Sequence, residues 1–373
     1  MKLIVIRKIT IYIVVVFLFV SAVTAYYVLR PKTVPSFLEL DENVQRFLSN
    51  EVKYIFNHRN ESILKADSES LKKLYNMNSK NAQWAYEHDI KKMKYLHSWS
   101  DKQGVEFKDI NSHIIVRYAK VKGEGYNLNL LVSTEYIYKY KESNSTNSFR
   151  IGTYHTIDIM SSENNWIINR EWYNDPFADS LDLDTINNQK VKDLILSGEQ
   201  KQIKDLNERR IKAIEYADMY CGAASLPEYG FKYNSNYRDY NNAGGDCANF
   251  ASQMLFEGAQ FRKNRTWNYE RGAGSKSWLN AHAFNSYMLN SGRASVIARG
   301  TYKDVISASY KFLPGDYVAY EKKGKVTHIS VVTASDSKGY ALVNSHNADR
   351  YRVPWDLGWS NKGVEFVLVR VHY

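Results

Sequence analysis

The sequence predicts an α+β protein built in three parts, and three observations carry that prediction. An uncharged apolar run opens the chain. A helical pattern followed by a series of β-branched and aromatic strands fills the first half. A second helical pattern followed by a three-stranded meander fills the last third. Helices and strands that come in separate runs, rather than alternating, belong to α+β architecture. At 44% hydrophobic residues and with 29 tyrosines, the 373-residue chain has enough apolar surface for a packed core, and its length fits two domains.

The first part reads MKLIVIRKITIYIVVVFLFVSAVTAYYVLRPK. Lys2, Arg7 and Lys8 precede an uncharged run from Ile9 to Leu29, which meets the roughly 20 residues a membrane-spanning helix needs. Val23-Thr24-Ala25 also has the small-residue pattern of a signal-peptidase site. Residues 1–30 are therefore expected to be a signal anchor or a signal peptide. The anchor is favoured because apolar residues continue past Ala25. The rest of the chain is expected outside the cell membrane, tethered by this helix or secreted. No cysteine follows the run, which excludes a lipoprotein. The net charge of +10 comes without Lys/Arg runs or a zinc-finger pattern. It points to anionic polymers or anionic membrane surfaces as partners, not to nucleic acid.

The second part is expected at residues 38–175. Val44, Phe47, Leu48, Val52, Ile55 and Phe56 recur at helical spacing in a pattern running to about Leu96. After Gly104 the period changes, and SHIIVRYAKVKG, YNLNLLVSTEYIYKYKE, FRIGTYHTIDIMS and NWIINREWY read as strands separated by turn clusters. This element order resembles the cystatin-like or NTF2-like arrangement, a curved sheet wrapped on a helix. His155 alternates with Ile157 and Ile159, and a core or sheet-surface role is expected for it. The segment is expected to position substrate, regulate or dock a partner, with no chemistry of its own. Residues 176–200 are polar and read as a linker with a short helix near Val191–Leu196.

The third part, residues 201–373, holds both cysteines. Cys221 ends a helical stripe of Ile211, Ile214, Tyr216 and Ala217 and reads as a small buried hydrophobe. Cys247 stands in GGDCANFASQMLFEG. Gly244 and Gly245 permit a tight turn, Asp246 is a good N-cap, and Phe250, Ala251, Met254 and Leu255 form an apolar face. Cys247 thus falls in the first turn of a helix, where free amides and the helix dipole favour a thiolate and lower its pKa. A Cys221–Cys247 disulfide competes with this reading. A nucleophile needs a base. The strand VTHISVVTA puts His328, Ser330 and Val332 on one face, and the next strand, YALVNSH, puts Leu342, Asn344 and His346 on one face. His282 and Trp267, Trp278 and Trp359 read as core or groove-wall residues. No metal motif is present, and no cofactor is expected.

GDCANFASQ, PGDYVAY, THISVVT and SHNADRYRVPW, in this order, resemble the putative amidase domain family, related to the papain-like NlpC/P60 and CHAP hydrolases. The resemblance covers about Asp205 to Val371. It implies a papain-like fold with Cys247 as nucleophile and His328 as general base. It also implies a third residue that orients the imidazole: His346 matches best, then Asn344, then Asn347. Asn241 or Tyr240 is expected to complete an oxyanion hole, and Arg350 to meet a substrate carboxylate. The implied activity is cysteine-dependent hydrolysis of a peptidoglycan amide through a thioacyl intermediate. The alternatives are a thiol acyltransferase or amidase on another substrate, and a non-hydrolytic envelope-binding protein.

Overall fold

The computed structural model describes residues 41–141, 143–163, 165–177, 189–201, 205–359 and 363–373. The expected anchor or signal segment, residues 1–30, lies outside them. Among the described residues no helix is long and apolar enough to cross a membrane.

Helix α1 (Glu42–Lys65) starts where the Asp41 carboxylate accepts the Asn43 amide and ends at Ala66, which adopts a left-handed φ of 55°. Its expected stripe is real: Leu48, Val52, Ile55 and Phe56 are buried. A short α2 (Ser68–Lys72) and a long α3 (Lys80–Gln103) complete the helical run, which breaks into three because of the turns at 66–67 and 73–79. Four antiparallel strands follow: β1 (Val105–Lys122), β2 (Gly125–Tyr140), β3 (Thr146–Ser162) and β4 (Asn165–Tyr173). His155 is buried on β3, bonded to Glu171 and Thr153. Glu171 in turn accepts a two-pronged bond from buried Arg59. Arg59 and His155 overcome the penalty of burial and hold Glu171 down at about 2.

The expected linker helix forms as α4 (Gln189–Leu196), docked through Val191 and Ile195. Next come α5 (Glu208–Met219) and α6 (Cys247–Gln253), the latter continued by one π turn, Met254–Gly258. Ala259 caps that turn, and Gly258 is its last residue. A Cβ there would lie 2.7 Å from the Lys212 carbonyl, so the glycine lets α5 and the π turn touch. A small hairpin, β5 (Tyr269–Glu270) and β6 (Ala273–Gly274), precedes α7 (Lys276–Leu279), α8 (Ala281–Asn290), β7 (Ala294–Gly300) and α9 (Tyr302–Ser309). The chain ends in β8 (Tyr317–Lys322), β9 (Lys325–Ser335), β10 (Ala341–Ser345), β11 (Asp349–Pro354) and β12 (Val364–Val371).

The sequence suggests separate modules, but the structure joins their strands in one sheet, ordered β1-β2-β3-β11-β10-β9-β8-β12-β7. The splice is at β3. One edge of β3 pairs with β2; the other is shared, with His155–Ser162 on β4 and Arg150–Gly152 on β11. Between the two partners, Thr153 and Tyr154 stand at a fork. The C-terminal strands are covered on both faces. One face packs against the N-terminal half in a core that includes Trp99, Tyr138, Phe149, Tyr320, Val332 and Trp355. The other packs against α5, α6 and α8, with Phe250, Phe284, Ile329 and Val331. Buried Lys102 at the end of α3 binds Asp356 at 2.6 Å, pinning the two halves together.

Candidate active site

Gly244 and Gly245 turn the chain with φ of 102° and 119°, as the sequence requires, and deliver Asp246 and Cys247 to the start of α6. Asp246 takes the N-cap position, but its side chain does not cap the helix. It accepts instead from the Tyr240 amide, the Asn249 side chain and His346 Nδ1, the last at 2.5 Å. His346 Nε2 lies 2.7 Å from the Tyr220 carbonyl. A carboxylate and a carbonyl are both acceptors, so this imidazole carries two N–H groups and is an imidazolium. Burial opposes that charge, but Asp246 and the Tyr220 carbonyl outweigh it and raise the His346 pKa. The ring stacks on Phe250, 4.2 Å between centroids, one turn along α6.

Cys247 follows Asp246 directly in the chain and is buried on the α6 side of the sheet. Burial pushes its thiol up to about 11, although the Ile329 and Ala248 amides favour the thiolate. The expected lowering at a helix start is thus outweighed, because the sulfur is cut off from water. Both cysteines are free thiols. Cys221 is a buried thiol facing the Asp218 carbonyl, as its sequence context suggests.

The structure does not bring His328 to Cys247. His328 pairs across the ladder with Tyr320, on the face that meets the N-terminal half, while Ile329 faces α6. Its ring packs against Trp359 and Tyr320, and its Nε2 has no hydrogen-bond partner among the described residues. Burial, helped by the Arg350 charge, holds it neutral. Arg350 shares that buried face. It donates to the Leu357 carbonyl at 2.6 Å and lies over Trp359, so it meets no substrate carboxylate from there. Asn344 shares a face with His346 as expected, yet it is consumed by the Ala217 carbonyl, Asp218, Thr333 and the Arg352 amide. Asn347 is the one that reaches the cysteine turn, accepting the Asp246 amide at 2.6 Å. His282, Trp267 and Trp278 serve packing: Val326, Ser252 and Asn249 are their respective partners.

The fork between β4 and β11 opens a cavity of about 750 Å3, lined by Tyr154, Trp172, Tyr233, Asn241, Asn347 and Asp349 among others. Tyr233 donates to the Asp349 carboxylate at 2.7 Å, packs on the His346 ring, and accepts from Asn241 at 3.2 Å. Asn241 therefore lies on the cavity wall, whereas the Tyr240 ring lies outside the lining and beneath Arg238. Asp349 is pushed up to about 6 by burial, against the pull of His346 and Tyr233. The sequence reading missed Asp349, Tyr233 and the true role of Asp246. The first stands in the quoted SHNADRY block, and its acid-base character comes only from folding.

Residues 207–369 match the family described as Putative amidase domain. The C-terminal segment thus carries the features of a domain that hydrolyses amide bonds. An alignment 160 residues long shows 29% identity to the uncharacterized protein YjcM of Bacillus subtilis (strain 168); it covers 39% of this chain and only 35% of that protein. No solved structure matches the chain.

Proposed function

We propose that the chain is an exported, cysteine-dependent amide hydrolase acting on peptidoglycan, with Cys247 as nucleophile and His346 as its proton partner. The observation that carries this is the Asp246–His346 pair, bonded at 2.5 Å and set one residue from Cys247 inside the segment that matches an amidase domain. The reactive form is the thiolate–imidazolium pair: the Cys247 thiol gives its proton to solvent, because the resting His346 already carries two N–H protons. The thiolate attacks the amide carbonyl carbon and forms the C–S bond. The Ile329 and Ala248 amides favour negative charge at this site. His346 turns its Nε2–H from the Tyr220 carbonyl to the departing amine and gives up that proton as the C–N bond breaks. Water then attacks the thioacyl carbon and hands one proton to His346; the C–S bond breaks, the Cys247 thiolate and the His346 imidazolium are regenerated, and the carboxylic acid leaves and ionises in solvent. Substrate enters by the fork cavity, which adjoins the pair through Tyr233 and Asn347. The apolar run at Ile9–Leu29 supports export, with membrane attachment through that helix, and the +10 charge suits an anionic wall polymer.

The test compares the full-length chain with Cys247→Ala on purified peptidoglycan, reading fragments by mass spectrometry. New amine and carboxylate ends from the unmodified protein alone are expected. Fragments from both proteins would sink the thiol mechanism, and fragments from neither would sink the substrate. A second reading, a non-hydrolytic envelope-binding protein, is favoured by one observation: the resting thiol is buried and held protonated.

A further inference from the structure

We propose that the outer face of the N-terminal half holds a pyranose glycan strand and feeds it into the fork cavity. The inference rests on the cell-wall reading for the identity of the polymer, and on geometry for the existence of the track.

Four of the eight tryptophans, Trp99, Trp267, Trp278 and Trp355, are fully buried, whereas Trp84 and Trp172 are 57% and 66% exposed. Large indoles left in water mark recognition surfaces when they gather in one place. These two gather on a groove of about 460 Å3 between α3 and β4. One wall is the i, i+3, i+4, i+7 stripe of α3, Asn81, Trp84, Ala85 and His88. The other is the outer row of β4 and its end, Arg170, Trp172 and Asn174. The intervening Glu171 and Tyr173 are buried and line the groove between the two walls. Trp172 and Asn174 also line the fork cavity, so the groove and the cavity share a rim. Tyr154, 38% exposed and covered by Arg117, extends the aromatic row toward Tyr233 and Asp349.

This is the chemistry that recognises sugars. Indole faces stack against the C–H faces of pyranose rings, and the Asn81 and Asn174 amides can each donate to and accept from hydroxyl or acetamido groups. Lys80, over the Trp84 ring, and Arg170 add positive charge for carboxylate substituents. The site is concave and amide-lined, with one indole on each wall. A membrane-binding surface needs its indoles on a convex tip, so a lipid surface fits less well. A glycan held here would carry its peptide substituent past Asn347 and Tyr233 toward the Asp246–His346 pair.

The test uses full-length Cys247→Ala protein, so that nothing is cleaved, and a β-1,4-linked N-acetylglucosamine tetramer as probe, followed by tryptophan fluorescence and, because the variants lose the reporting indoles, by isothermal titration calorimetry. Saturable quenching is expected. Trp172→Ala and Trp84→Ala are each expected to weaken binding about tenfold, the effect of one lost stacking contact. Tyr54→Ala, exposed elsewhere on α1, leaves it unchanged. Circular dichroism melts confirm that these surface variants fold. No quenching at millimolar tetramer, or full binding by the Trp84→Ala/Trp172→Ala double variant, would overturn the proposal. So would Trp-dependent binding to anionic phospholipid vesicles without tetramer binding. A chain that binds the tetramer but releases no peptidoglycan fragments keeps this site and loses the hydrolase reading. A chain that cleaves peptidoglycan without binding the tetramer does the reverse.

Discussion

His328 and His346 stand on β9 and just after β10, within one sheet, and the two faces of that sheet treat them oppositely. On the face turned to the N-terminal half, His328 sits among Tyr320, Trp359 and the Arg350 guanidinium, and stays neutral. On the face turned to α6, His346 sits between a carboxylate and a carbonyl and is charged. Both are almost completely buried. The comparison teaches that burial alone does not set protonation: the acceptors facing the ring decide it. It also underlies the proposed roles, because of these two only the charged histidine shares the side of Cys247.

The sharpest way to break the comparison is to remove what covers the His328 face. Deleting residues 38–175 is expected to leave an insoluble or unfolded chain. It takes away the partners of Tyr320 and Val332, unpairs one edge of β11, and strands Asp356 without Lys102. Sedimentation and circular dichroism would check this, and a soluble, cooperatively melting truncation would restore the picture of independent domains.

Activity should divide the histidines next. His346→Gln is expected to lower kcat/KM for amide cleavage by about 100-fold or more, the usual weight of a general acid–base group. His328→Phe should stay within a few-fold. The reverse outcome would return the base to His328 and require the sheet faces to rearrange around substrate.

Stability separates them a third time. Asp246→Asn leaves a buried imidazolium without its counter-charge and is expected to cost about 3–5 kcal/mol in urea unfolding. Their pH dependence has opposite sign. The folded His328 pKa lies below its unfolded value of about 6.5, so the unfolded chain takes up the proton first and stability falls as pH drops below that point. The folded His346 pKa is raised, so its contribution is complete below about pH 6.5 and is lost as pH rises through the folded value. Unfolding from pH 5 to 9 should show His328→Phe flattening the acid limb and His346→Gln flattening the alkaline one, each by at most about 1.4 kcal/mol per pH unit.

The smallest effect is a rate at one atom. With its thiol held up to about 11, Cys247 in the resting protein should react with iodoacetamide slowly at pH 7.5 and faster as pH rises above 9. A titration midpoint below the free-thiol value of about 8.5 would show an activated thiolate instead.

Much was written locally. The glycine pair at 244–245, the helix that begins at Cys247, the four strands before the linker, the β8–β9–β10 meander after it, and the shared face of Asn344 and His346 all follow from backbone preference and from periods of 3.6 and 2, whereas β7, β11 and β12 were not read. Alternation also put His328, Ser330 and Val332 together correctly. It did not say which way that row points. Ile329 and Val331 are as apolar as Val332, and a sheet buried on both faces offers no polar–apolar contrast to choose between them. Tertiary packing made the choice, when the N-terminal half closed one face and α6 the other. It alone set β11 beside β3, across some two hundred residues of chain, and so created the fork where Tyr154 and Trp172 meet Asp349. Contacts of that span leave no periodic trace in a single sequence, because each strand reads the same whichever edge it joins.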